Sequence, residues 1–165
     1  MTWTVHDAAE GDLPAILAIY NDVIEHTTAV YTDAPVTLGQ RRTWLAERQG
    51  AGLPVIVARD GAGAVGGFAS YGPFRPWPGY ATTVEHSVYV ASAVRRQGIA
   101  KLLVTALLAR ARAQDLHVVI GGIDAANEAS LALHRELGFT PAGHLHQVAR
   151  KFGAWVDLVL VERRL

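Results

Sequence analysis

The segment RRQGIA, residues 95 to 100, places Gly98 among basic side chains where a strand-like stretch, TTVEHSVYV, gives way to an apolar helical one. The first amides of a helix have no partner within the helix and carry the positive end of its dipole, so they attract anions. A glycine there lets a bulky anion come close. Arg95, Arg96 and Lys101 add charge that strengthens hydrogen bonds to phosphate oxygens. A pyrophosphate fits such a turn. The turn has neither the G-x-x-x-x-G-K-S/T spacing of a nucleoside triphosphate loop nor the G-x-G-x-x-G spacing of a dinucleotide site, which argues against Mg2+-dependent phosphoryl transfer.

The elements that must hold this turn follow from periodicity. TWTVHDA alternates as a first strand, and Asp12 with Pro14 opens a helix whose apolar positions are Leu13, Ile16, Leu17, Tyr20, Val23 and Ile24. HTTAVYTDAPVT reads as a loop and LGQRRTWLAERQ as a short helix. LPVIVARD and VGGFASYG, joined by GAGA, read as a hairpin. PFRPWPGYA has three prolines in nine residues, which excludes regular structure and puts Arg75, Trp77 and Tyr80 on a constrained loop of the kind that contacts substrates.

TTVEHSVYV is a fourth strand, with Val84, His86, Val88 and Val90 on one face and Glu85, Ser87 and Tyr89 on the other. Ile99, Leu102, Leu103, Ala106 and Leu107 keep helical spacing, and the fifth strand is DLHVVIGGI. NEASLALHRELGF is a helix capped by Asn127 and closed by Gly138, and the remaining residues form two strands joined at KFGAW. The order predicts a mixed α/β sheet with helices on its faces, in one domain over residues 1–165.

Composition narrows the partners. Lys plus Arg and Asp plus Glu number 15 each, so overall charge recruits neither nucleic acid nor an anionic membrane. Cysteine is absent, which removes disulfides, thiolate metal sites and cysteine nucleophiles together. The first residues, MTWTVHDAAEGDLPAIL, lack the basic end and apolar run of a signal peptide, and no stretch reaches the length of a membrane span; a cytoplasmic protein is expected. The seven histidines show no metal signature: His144 and His146 stand two apart on a strand with no cysteine or carboxylate pattern beside them, so no metal is expected.

The turn Arg95, Arg96, Gln97, Gly98, Ile99, Ala100, with a strand before it, an amphipathic helix after it, and Asn127 and LGF around the next helix, resembles the acetyl-CoA-dependent N-acetyltransferases of the GNAT superfamily, whose pyrophosphate turn reads R/Q-x-x-G-x-G/A. The resemblance implies the GNAT fold, a mixed central sheet splayed between strands four and five with helices on both faces. It implies that the amides of residues 96 to 101 bind the pyrophosphate of acetyl-CoA. The backbone of Val88, Tyr89 and Val90 would pair with the pantetheine arm like an added strand, and Asn127 would bond that arm from the other side. IYNDVIEHT, VEHSVYV, SLALHRELGF and KFGAWVDL look more narrowly like the phosphinothricin and methionine sulfoximine or sulfone acetyltransferases, which acetylate the α-amino group of small amino acids and are usually homodimers. The departures from that group lie around YGPFRPWPGYA.

With a thioester as donor, the remaining tasks are to deprotonate and position an amine and to stabilise the oxyanion, for which a backbone N–H of Val88 to Val90 is a candidate. Glu85 is the leading base, three residues before the cofactor-binding part of its strand. His134, two helical turns beyond Asn127 on the same face, is the second candidate, as base or as the acid that protonates the departing thiolate. By resemblance the substrate meets Arg75, Pro76 and Trp77, and Glu85, His86 and Ser87, with Arg75 pairing a substrate carboxylate. A solvated Arg75 and Glu85 and a merely packed His86 or His134 are the alternatives. Two other functions share these motifs: acetylation of another small amine or a protein N-terminus, and acyl-CoA binding without turnover.

Overall fold

The computed structural model describes residues 2–165. Strands β1 (Thr4–Asp7), β2 (Val55–Arg59), β3 (Val65–Pro73), β4 (Thr83–Val90), β5 (Val118–Asp124), β6 (Thr140–Lys151) and β7 (Ala154–Arg164) form one sheet in the order β1-β2-β3-β4-β5-β7-β6. Neighbours run antiparallel except β4 and β5, which are parallel. Helices α1 (Leu13–His26) and α2 (Leu38–Gly50) precede β2, α3 (Ile99–Ala113) joins β4 to β5, and α4 (Glu128–Glu136) joins β5 to β6.

Strand alternation divides the core in two. Val55, Val57 and Phe68 face one side and pack with Leu13, Ile16, Ile19 and Leu45 of α1 and α2. Ile56, Ala58, Ala69, Tyr71 and Val84 face the other and pack with Ile99, Leu103, Val104, Leu107 and Leu108 of α3. The expected face of α3 is therefore rotated: Leu102 and Ala106 lie at its edge, and Val104, Leu108 and Ala111 are buried instead.

Two sequence expectations change in the fold. Asp12 does not cap α1: it ends a 3-10 turn, Glu10–Asp12, with its own backbone already helical. Its carboxylate turns back to accept from the Ala9 N–H at 2.8 Å and from Arg59 Nη2 at 2.8 Å. The proline-rich loop contains one 3-10 turn, Pro78–Tyr80, whose first φ proline already supplies. GAGA, residues 61 to 64, forms the expected turn between antiparallel β2 and β3.

Lys151, at the end of β6, is 1% exposed. Its ammonium donates to the carbonyls of Ile24 at 2.6 Å and Val30 at 2.9 Å, and to that of Thr32. One cation thus pins the end of α1 and the loop 27–37 to the β6–β7 hairpin. Removing it leaves these carbonyls without their shared donor. Lys151→Ala is expected to cost about 3 kcal/mol or more, read as a lower urea midpoint with an unchanged slope.

Candidate active site

β4 and β5 pair only over residues 83–86 and 118–121. β4 continues to Val90 bonded to β3 alone, and β5 continues bonded to β7. The strands therefore part after His86, and the β5-facing backbone groups of residues 87–90 have no strand partner. Such an edge accepts an extended ligand as an added strand.

The turn after β4 runs through a 3-10 segment, Ser92–Val94, into Arg96 at φ +64° and Gly98 at φ +80°, and α3 begins at Ile99. A left-handed arginine is a conformation an L side chain rarely adopts, and with Gly98 it turns successive amides toward one point. A methyl group on Gly98 would meet nothing within 4 Å, so the space over these amides is open. Arg95 and Arg96 are exposed and have no ion-pair partner among the described residues. Lys101 is held instead by Glu136, 2.5 Å away, and Gln97 accepts from the indole N–H of Trp3 at 3.1 Å.

From this turn a groove of about 900 Å³ runs to the parted strands, walled by Arg95, Arg96, Gly98, Ile99, Ala100 and Lys101 at one end and by Val88, Tyr89 and Val90 along one side. Asn127 stands on the opposite wall. Its Oδ1 accepts from the Ser130 N–H at 3.1 Å, which caps α4 as its sequence position suggests and leaves the amide N–H2 as its donor to a ligand. Gln97 is the one residue of the expected turn outside the groove lining.

His86 and His134 meet at the bottom of the opening, both buried, with Nε2 to Nε2 at 3.0 Å. His134 Nδ1 lies 2.7 Å from the Ser130 carbonyl and must donate to it. His134 Nε2 is then an acceptor, His86 Nε2–H its donor, and His86 Nδ1 a buried acceptor with no partner among the described residues. Burial drives His86 down to about 3, with His134 adding to the effect, and burial also lowers His134 against the opposing bond from Ser130. Both rings are neutral near pH 7, and His134 has no proton to spare for a leaving group.

Glu85 projects from the other face of β4. The paired glycines of β5 make room on both sides: a side chain at Gly121 would approach His86 Nε2 to 3.2 Å, and one at Gly122 would approach Glu85 Oε1 to 3.2 Å. Glu85 and His134 are thus on opposite faces, which argues against their sharing one proton. Burial raises the Glu85 carboxyl above its ordinary range, and Arg75 partly offsets this. Arg75 lies over the Phe74 ring at 4.8 Å, while Trp77 is 72% exposed. Pro76 is exposed beside it, and Ser87 lines the narrow opening with His86.

Two site residues escaped the sequence reading. Asp124, buried at the end of β5, accepts from Thr28 Oγ1 and from the Ala126 N–H at 2.9 Å, and both Asp124 and Thr28 line the groove. An acidic residue closing an apolar strand just before a turn was the available signal. The reading that His144 and His146 have no carboxylate nearby is also corrected: Asp157 of β7 lies 2.9 Å from a nitrogen of each.

The parted parallel strands, the pyrophosphate-type turn and the capped helix facing it define an acyl-CoA-dependent acyltransferase fold. The chain belongs to the acetyltransferase (GNAT) family, whose model matches residues 16–139. It is 48% identical over 165 residues to an L-methionine sulfoximine/L-methionine sulfone acetyltransferase of Pseudomonas aeruginosa, an alignment covering 100% of this chain and 96% of that protein. A solved GNAT phosphinothricin acetyltransferase from Sinorhizobium meliloti, in complex with acetyl-CoA, is 34% identical with a TM-score of 0.97, covering 100% of this chain and 89% of that one. A ribosomal-protein-alanine N-acetyltransferase structure from Brucella melitensis is 48% identical with a TM-score of 0.96, covering 98% and 99%.

The neutral histidine pair makes stability depend on pH. Unfolded histidines take up protons near pH 6.5, and His86 in the folded chain does so only near 3. Below about pH 6.5 the unfolded state therefore binds more protons, and stability falls as pH falls, by up to about 1.4 kcal/mol per pH unit for each such histidine. Urea midpoints are expected to drop between pH 7 and 5.5, with a flatter dependence in His86→Leu.

Proposed function

We propose that this protein transfers the acetyl group of acetyl-CoA to the α-amino group of small amino acids with a tetrahedral head, L-methionine sulfoximine, L-methionine sulfone or phosphinothricin, by direct transfer in a ternary complex. The observation that carries this reading is the continuous groove from the Arg96–Gly98 turn to the parted strands, with the Glu85 carboxylate on the opposite face of β4. The similarity to relatives named for these substrates supports it.

Acetyl-CoA supplies an activated thioester carbonyl. The turn amides and Arg95 and Arg96 hold its pyrophosphate, and the free edge of residues 88–90 and Asn127 hold its pantetheine arm. The thioester carbonyl is thereby brought to the point where β4 and β5 part, and a β4 amide there polarises it. The amino acid enters from the other face, its carboxylate paired by Arg75. Glu85, directly or through one water, takes a proton from the substrate ammonium; the neutral amine attacks, the C–N bond forms and the C–S bond breaks, the new amide nitrogen gives up its second proton to solvent, and the thiolate takes one proton from solvent.

Several broader features belong to the same reading. The chain is a single domain and a cytoplasmic enzyme that binds neither nucleic acid nor membrane; among the described residues no helix is long and apolar enough to cross a membrane. It acts as a homodimer, which the exposed Trp77, Val148, Phe152 and Trp155 support, and a second copy over the loop 74–80 would close the acceptor side that Trp77 leaves open. It uses no metal in the transfer. Acetylation of a protein N-terminus is a second reading, favoured by the open acceptor side and the Brucella relative.

Release of CoA, followed with a thiol reagent, separates these readings. Methionine sulfone, methionine sulfoximine and phosphinothricin are expected to turn over faster than methionine and than a peptide with an N-terminal alanine; turnover of the peptide alone would replace the proposed substrate class. Glu85→Gln is expected to lower kcat about a hundredfold. Arg75 holds the Glu85 carboxyl down, so Arg75→Ala, besides raising the amino-acid KM, should move the acidic limb of the rate profile to higher pH. Unchanged pH dependence in Arg75→Ala would separate Arg75 from the base.

Gly98→Val adds a branched side chain at a positive φ and fills the space above the amides. Its acetyl-CoA affinity, measured by calorimetry, should fall at least tenfold, with the amino-acid KM unchanged.

A further inference from the structure

The β6–β7 hairpin carries a cluster that the acetyl-transfer site does not use. His144 and His146 stand two apart on β6, so strand alternation puts both on one face. The ladder is irregular between Leu145 and Ala149, and Gln147 adopts φ +50°. That bulge turns the Gln147 N–H onto Asp157 Oδ1 at 2.9 Å. Asp157 Oδ2 is left facing His144 Nε2 and His146 Nδ1, each at 2.9 Å, and the two rings stack with centroids 4.3 Å apart.

We propose that His144, His146 and Asp157 form a surface site for one divalent transition-metal ion of the Zn2+ class. Two imidazole nitrogens and one carboxylate oxygen lie within 4.8 Å of one another. Tetrahedral Zn2+, with bonds of about 2.0–2.1 Å, needs ligand atoms about 3.3 Å apart. The two N–O edges at 2.9 Å therefore open by only about 0.4 Å to admit it. Each imidazole shifts its proton to the other ring nitrogen and presents a lone pair to the metal.

The ligand set selects the ion: imidazoles suit Zn2+, Ni2+ and Cu2+, whereas Mg2+ and Ca2+ require oxygens. The bond from Gln147 orients the ligating carboxylate, as outer partners do in built metal sites. The histidine side chains are 46% and 74% exposed, so water completes the coordination. The Asp157 carbonyl also accepts from the Ala125 N–H at 3.0 Å, which ties the cluster to the turn preceding Asn127.

Calorimetric titration of tag-free, chelator-treated protein with Zn2+ tests the site without reference to acetyl transfer. One ion per chain is expected, at least tenfold weaker in His144→Gln and in His146→Gln and unchanged in His117→Gln. Zn2+ should raise the thermal midpoint of the unaltered protein and leave that of the double variant H144Q/H146Q unmoved. Absence of stoichiometric binding, or binding that survives the double substitution, would overturn the assignment.

Discussion

β4 and β5 pair over four residues each and then part, and the rest of the site depends on that limit. Continued pairing would have used the backbone groups of residues 87–90 within the sheet. Because it stops, a polar backbone edge is left facing the groove, where a ligand can satisfy it. The β3 pairing on the other side of β4 is complete through Val90, so the edge is fixed in place. A rigid strand with one free side is a preorganised receptor for an extended arm.

The same parting separates two chemistries by face. Side-chain alternation sends His86 toward α4 and Glu85 away from it, and Gly121 and Gly122 leave room for each. On the α4 side, burial keeps two imidazoles neutral and bonded to one another, and Phe139 packs against both rings at 5.0 Å and 5.5 Å. On the other side Glu85 keeps an ionisable carboxyl with a cation nearby. Lys151 contributes from a distance, fixing the loop that carries Thr28 and Ala29 into the groove wall.

Features set by neighbours in sequence were legible before the structure. The turn at 95–100, the Asn127 cap, the alternation of β4 and the order of elements each depend on a few consecutive residues. The contacts that escaped depend on register. His86 and His134 are 48 residues apart, and their bond follows from how α4 settles over β4. Asp157 reaches His146 across eleven residues because a bulge shifts the β6 ladder, an irregularity no periodicity announces. Lys151 finds its carbonyl partners 119 to 127 residues away, and a lysine in a strand reads as solvent-facing until the loop that wraps it is known. Asp12 reads as a cap from local sequence alone, and the pull of Arg59 from β2 decides otherwise.

The division by face also bears on how the proposed reaction moves its protons. A general base must have a free lone pair and a pKa near the working pH. His134 is engaged at both nitrogens, by Ser130 and by His86, and burial disfavours its cation. A carboxyl raised by partial desolvation moves toward the working range from below, so desolvation adds basicity to Glu85 where burial removes it from the histidines. Desolvation acts with opposite sign on the two groups because the carboxylate is charged when it accepts a proton and the imidazole becomes charged when it does. The buried histidine pair then serves the proposed chemistry as a rigid, uncharged floor that holds α4 and Asn127 against the parted strands, and the proton traffic falls to the face that bears Glu85.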